Sequence, residues 1–292
     1  MATKKQGAIV ATLNDLLFPV EMRDEEMKCN KEYSRKVIGF VNGDEMLLNQ
    51  CSNIYTLIPN ADIFPNIEQV LDANGIEYEV TYRHIDHVRF YADYVITDKR
   101  FVYRMKGTND EIKPMISVQH SYNGLTKYKI IFGYFRFICE NGMVIPVQEM
   151  MEFNLVITGK HTESVKRSFT QLNHLLVRFS SDAHTITNAI VQKYELLGGR
   201  AVTNLKDRLT EVLTATGITA VDNKKFNTLE DITHRIMVEA NANGLGYNGR
   251  VTDFLVYNGI NQYINDDDLN IAAPETRMAK DSKVMEYMLE NA

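Results

Sequence analysis

Tryptophan is absent from this chain, proline is scarce at 6 of 292 residues, and cysteine occurs only three times. Few prolines leave little room for long linkers or disorder. Cys29, Cys51 and Cys139 are odd in number and far apart. They fit free thiols in a reducing compartment, not a disulfide framework. No apolar run approaches the roughly 18 residues that a bilayer span needs. The apolar part of the first 17 residues is short and broken by Asn14-Asp15, which excludes a convincing signal peptide. A cytoplasmic setting and no membrane partner are the expectations.

Positive charge is also short. Net charge is −6, so a whole-chain basic footprint for nucleic acid is missing, although a local groove can be positive on an acidic protein. No nuclease carboxylate constellation, Ser-His-Asp signature, kinase motif, Walker lysine or dinucleotide spacing occurs. Internal repeats and low-complexity blocks are missing too. No cofactor, metal or catalytic residue is expected.

What is present is a soluble globular composition, 45% apolar and 24% charged, with 15 Tyr and 13 Phe. The core of the pattern is residues 114–162. Two β-type runs flank Tyr122-Asn123-Gly124, and Glu140-Asn141-Gly142 marks a second turn. Asn-Gly between such runs is a strong hairpin signal, because both residues tolerate positive φ. Ile130 to Cys139 is apolar on both faces, which predicts a central strand covered on both sides. Arg136 interrupts it and needs a partner, since a buried guanidinium is costly alone.

Further strands are predicted over Phe40–Asp44, Ile54–Ile58, Tyr78–Tyr82, Val88–Ile96, Arg100–Met105 and Phe153–Ile157. Within Val88–Ile96, alternation puts Phe90, Ala92, Tyr94 and Ile96 on one side and Arg89, Tyr91 and Asp93 on the other. A helix is predicted over Phe64, Ile67, Val70 and Leu71, capped by Asn60-Ala61-Asp62 and stopped at Gly75. After Thr162 the period becomes helical. Helices are predicted over 163–196, 202–215, 228–241, 252–264 and the tail from Glu275. The expected fold class is α+β: an N-terminal segment (1–36), a β-rich core with an antiparallel twisted sheet (37–162), and a helical half packing on it (163–292).

Four groups of residues have two readings each. Arg136, Cys139 and Asn141 with His161 make a polar cluster that could line a site, even a Cys–His nucleophile pair; otherwise Arg136 ties the sheet to the helices, Cys139 is a core residue and Asn141 sits in a left-handed turn. His84 and His87, with Asp86, have metal-like spacing but no second ligand pair, which favours a surface turn. Gly198-Gly199-Arg200 and the 243–250 loop could cradle phosphate, or simply connect helices. Asp266-Asp267-Asp268 lacks calcium-loop spacing and reads as a solvated helix end.

The most informative pattern is cations interleaved with aromatics in the sheet: Arg89, Arg100, Arg104, Lys106, Lys127 and Lys129 with Tyr91, Tyr103, Tyr122 and Tyr128. Sheets of this kind bind single strands by stacking and phosphate contact. The alternative is an ordinary solvated face.

Several stretches together resemble the phage- and plasmid-like proteins of a domain of unknown function, DUF932. They are Tyr55-Thr56-Leu57-Ile58-Pro59, His120-Ser121-Tyr122-Asn123-Gly124, Arg136-Phe137-Ile138-Cys139-Glu140-Asn141, Lys160-His161-Thr162 and Tyr257-Asn258-Gly259-Ile260-Asn261-Gln262-Tyr263. Asn123 stands where the family usually has Asp, and Gly142 where it has Thr. The resemblance implies a phage or mobile-element origin and a host-cytoplasmic setting, and carries no catalytic residues. With the cation–tyrosine pattern it leads to an expected non-catalytic accessory of DNA metabolism, binding or annealing single-stranded DNA as a homo-oligomer. The competing expectation is a protein-binding module, an anti-defence or structural component with a host or phage protein as partner.

Overall fold

The computed structural model of the chain describes residues 9–24, 35–53, 55–104, 111–126, 128–136, 141–143, 155–157, positions 170, 173, 174, 177 and 188, and residues 191–218, 228–242, 250–265 and 274–291. The fold is α+β. Antiparallel sheets fill the first half of the sequence and helices the second. The chain forms two compact units, each gathered from separate stretches: residues 1–98, 115–132 and 153–182 in the first, and 99–114, 133–152 and 183–292 in the second.

The first unit holds two sheets. In the larger one, β1 (Ile9–Ala11), β5 (Tyr78–Ile85), β6 (Arg89–Ile96), β8 (Glu111–Ser121) and β9 (Tyr128–Arg136) lie side by side in that order, and β11 (Leu155–Ile157) also pairs with β9; residues 111–114 of β8 and 133–136 of β9 are counted in the second unit. The predicted alternation of β6 is observed: Phe90, Ala92, Tyr94 and Ile96 are buried while Arg89, Tyr91, Asp93 and Val95 are half-buried. The short helix α1 (Leu13–Leu16) follows β1, and on the core face the helix α2 (Phe64–Ala73) sets Phe64 edge-on to Tyr82. Tyr82 is edge-on to Tyr94 and donates its hydroxyl to Glu68. Gly75 closes α2 with φ +61, as predicted. Asn60 does not cap the helix; its side chain is buried and donates to the Leu16 carbonyl instead. Pro65 stands in the first turn, where its missing N–H costs nothing.

The smaller sheet is β2 (Val20–Asp24), β3 (Arg35–Val41) and β4 (Asp44–Cys51). Asn42 and Gly43, both at positive φ, make the β3–β4 turn, so the strand read over Phe40–Asp44 is one arm of a hairpin. The β4 strand is absent from the sequence expectations. Conversely, Tyr55–Ile58 is not a strand; it runs irregularly, and the Tyr55 hydroxyl donates to the Tyr122 carbonyl at 2.9 Å. Near Tyr122, Phe18, Phe90 and His120 complete an aromatic cluster. His120 lends a ring nitrogen to the Ile58 carbonyl at 2.9 Å, and burial pulls its pKa down to about 4.

In the second unit, β7 is only Tyr103–Arg104, paired with Glu111–Ile112, while residues 99–101 form a turn where a longer strand was predicted. Asn141 pairs with Arg136 and opens the short strand β10 (Asn141–Met143), so it lies in the returning strand and not at the turn. Helical residues 191–198 end at Gly199. The helices α3 (Leu205–Thr216), α4 (Thr228–Ala242), α5 (Asp253–Asn265) and α6 (Pro274–Glu290) follow. The Asn204 side chain caps α3 by accepting from the Asp207 amide, and Gly217 ends it at φ +66. A Cβ on Gly259 would fall 2.4 Å from Ile236 Cγ1, so glycine there is what lets α4 and α5 approach. The middle helix α5 is held by polar side chains on both flanks. Asn258 and Gln262 donate to Glu239 of α4, and Tyr257 and Asn261 donate to Asp281 of α6.

Candidate nucleic-acid interface

The face of β5 and β6 opposite the core carries Arg89 and Tyr91 of the predicted set. Successive side chains on a strand alternate between faces. Register therefore decides which residues meet. Tyr91 lies directly across from Arg83 on β5 and from Gln119 on β8. Arg89 and Asp93, two residues either side on β6, share that face. Tyr91 is thus ringed by two guanidiniums, an amide and a carboxylate. Arg83 Nη2 donates to Asp93 Oδ2 in an ion pair whose members are 35% and 22% exposed. Ser117 Oγ donates to the other oxygen of Asp93 at 2.5 Å.

The face is accessible on one flank and closed on the other. Glu79 and Thr81 of β5 are exposed, and Val10 of β1 is 72% exposed. Ser117, Gln119 and Ser121 of β8 are buried. Arg89 Nε and Gln119 Oε1 are shielded from solvent with no hydrogen-bond partner. A buried donor and a buried acceptor left without partners are costly.

The predicted residues separate as follows. Arg89 and Tyr91 share the accessible face. Tyr128 does not. It is buried edge-on to His120, which lies across from Phe90 on the core side. Lys129, next in the strand, points the other way, toward the face of Tyr91, but is buried. Arg100 is exposed, its guanidinium 5.2 Å from the Phe101 ring centre. Arg100, Tyr103 and Arg104 belong to the second unit, where burial, and after it Glu195, raises the Tyr103 pKa. Lys106 and Lys127 lie outside the described residues. Arg83 is absent from the predicted set. Its signal was hidden in the Arg83-His84-Ile85-Asp86-His87 motif, where only the histidine spacing stands out.

The other constellations resolve differently. Cys139 and His161 lie outside the described residues, and Arg136 is placed only as a strand residue across from Asn141. Cys51 is buried, and burial raises its thiol pKa, the reverse of what a nucleophile needs. His84 belongs to β5, not to a turn, and its ring stacks on His87 at 4.1 Å. Burial lowers its pKa. Among the described residues no group of three or more His, Cys, Asp or Glu side chains could hold a metal ion. Arg200, after Gly198-Gly199, donates to the Met288 carbonyl at 2.9 Å and lies 3.9 Å from Asp253, so it serves the helical unit. The 243–249 loop and Asp266–Asp268 lie outside the described residues. No helix among the described residues is long and apolar enough to cross a membrane.

No curated protein and no solved structure matches the chain. A family model does, that of a domain of unknown function (DUF932), over residues 47–283. That span runs from within β4 through most of α6, including Arg83, Tyr91 and the polar helix α5, and the chain belongs to the DUF932 family.

Proposed function

We propose that this chain binds single-stranded DNA as a non-enzymatic accessory of phage or mobile-element DNA metabolism, acting in the host cytoplasm and annealing strands as a homo-oligomer. One observation carries the reading: on the accessible flank of the sheet, Tyr91 stands between Arg83 and Arg89. A half-buried ring gives a base a platform, and guanidiniums beside it suit the phosphates that follow. Sequence-tolerant binding follows, because every base has a π-face.

The test is binding of a fluorescein-labelled oligo(dT) across a salt titration. Tyr91→Ala should weaken binding about tenfold, the scale of one lost base stack. Arg89→Gln should lower the slope of log K against log salt by about 0.7, one phosphate contact on a single strand. Absence of binding by the unaltered protein at low salt, where phosphate contacts are strongest, overturns the reading.

A second reading, a protein-binding module, is supported by the β4 edge, where Met46 and Leu47 are 37% and 52% exposed. An open strand edge with apolar side chains accepts an added strand from a partner. Here one protein should co-purify after nuclease treatment and be lost in Leu47→Lys. Persistence in that variant removes the β4 edge from consideration.

A further inference from the structure

Arg83 is the best placed cation of the interface, yet a carboxylate of the same sheet already holds it. We infer that Asp93 is a resident competitor for phosphate, which keeps the interface at reduced affinity until a strand displaces it from Arg83. The inference rests on the single-strand reading above and adds its regulation.

The geometry is specific. Asp93 is on the same face as Tyr91, two residues along β6, and diagonal to Arg83 across the β5–β6 pair. Among the described residues, its Oδ2 accepts from Arg83 Nη2 alone. A guanidinium has five N–H donors in a fixed fork, so this single contact leaves the rest of the fork for a phosphate, which prefers two parallel bonds. Ser117 Oγ, at 2.5 Å from Oδ1, fixes the carboxylate from the β8 side. The acid therefore stays in place when the guanidinium swings away. Both partners are partly solvated, so exchange of one oxyanion for another needs no opening of the core. Arg89, by contrast, has its Nε shielded and without a partner. The two arginines differ in kind: among the described residues no carboxylate competes for Arg89 Nε, whereas Arg83 is reached only against competition.

The consequence is counter-intuitive for a substitution on a binding face. Asp93→Asn should tighten oligo(dT) binding about fivefold at low salt, the scale of one exposed ion pair. It should also steepen the salt slope by about 0.7, because Arg83 becomes one further phosphate contact. Arg83→Gln with Asp93→Asn should remove both gains. Asp93→Ser, smaller and still able to bond Ser117, should repeat the Asn result, and circular dichroism checks the fold of each variant. If the unaltered protein binds and Asp93→Asn matches it in affinity and slope, the competitor role is wrong and the interface stands. If the gain survives loss of Arg83, the role is also wrong. If the unaltered protein fails to bind at low salt, the single-strand reading falls and the inference with it, whatever Asp93→Asn does.

Discussion

Asp253→Ala is expected to remove about 3 kcal/mol from the stability of the helical unit, the cost of breaking a buried ion pair. Asp253 opens α5 and is buried. Its two oxygens accept from Arg208 Nε and Nη2 of α3, each at 2.9 Å. This two-pronged fit is the strongest form of the contact. The pair also anchors a junction. The Asp253 amide donates to the Arg200 carbonyl, and the Val202 amide to the Val251 carbonyl, so the chain before α3 and the chain before α5 are tied at one point. Removing the carboxylate leaves Arg208 mostly buried with, among the described residues, only Glu211 as partner at 2.9 Å. Arg208→Met should cost a similar amount, because it leaves the buried acid, among the described residues, only the looser contact with Arg200 at 3.9 Å. The double substitution should cost much less than the two single costs added together, since neither charge is then left alone. Urea unfolding followed by far-ultraviolet circular dichroism reads all three. Strictly additive losses would show that the two side chains do not act on each other.

The same contrast between local pattern and long-range pairing explains what could be read from the sequence. The two faces of β6 were legible because a half-buried strand alternates, and Arg89 and Tyr91 came with it. Arg83 was not, since its place beside Tyr91 depends on the register of β5 against β6, which no window of β5 contains. The Lys127-Tyr128-Lys129 run shows the opposite error. Interleaving looks like a mixed face, but a period of two sends Tyr128 and Lys129 to opposite sides. The β4 strand escaped notice for a local reason. Its apolar residues Met46, Leu47 and Leu48 are consecutive, and Leu48 is skipped in the pairing with β3 at a bulge, which breaks alternation. Asp44, Glu45 and Asn49 have weak strand preference. The signal that was available is Asn42-Gly43, the same turn dipeptide that marks the later hairpin. Tyr55–Ile58 has strand-like side chains, yet its backbone takes no place in either sheet; the Tyr55 hydroxyl supports the Tyr122 turn instead.

The polar flanks of α5 lead to a pH dependence that composition alone would not suggest. Asp281 is buried and accepts from the Tyr257 hydroxyl at 3.0 Å and from Asn261 Nδ2 at 2.8 Å. Burial pushes its carboxyl up to about 7, against the opposing pull of those two hydrogen bonds. In the unfolded chain the group returns to its ordinary 3.8. Between these values the folded protein holds a proton that the unfolded chain has lost, so stability falls as pH rises. The contribution is complete below about pH 4, disappears by about pH 7 to 8, and amounts to about 4 kcal/mol over the interval. Carboxylates held down by hydrogen bonds, such as Glu211 beside Arg208 and Tyr287, act with the opposite sign. Their contribution is lost only as pH falls below the ordinary carboxylate range, so the two effects occupy different windows. Asp281→Asn keeps a neutral polar group of the same shape in the cluster. Its stability should therefore vary much less between pH 5 and 8 and should exceed that of the unaltered protein at pH 8. Urea midpoints at pH 5, 6, 7 and 8 for the two proteins provide the comparison. Parallel curves would mean that Asp281 is ionised in the folded state throughout, and that its two donors outweigh the cost of burial.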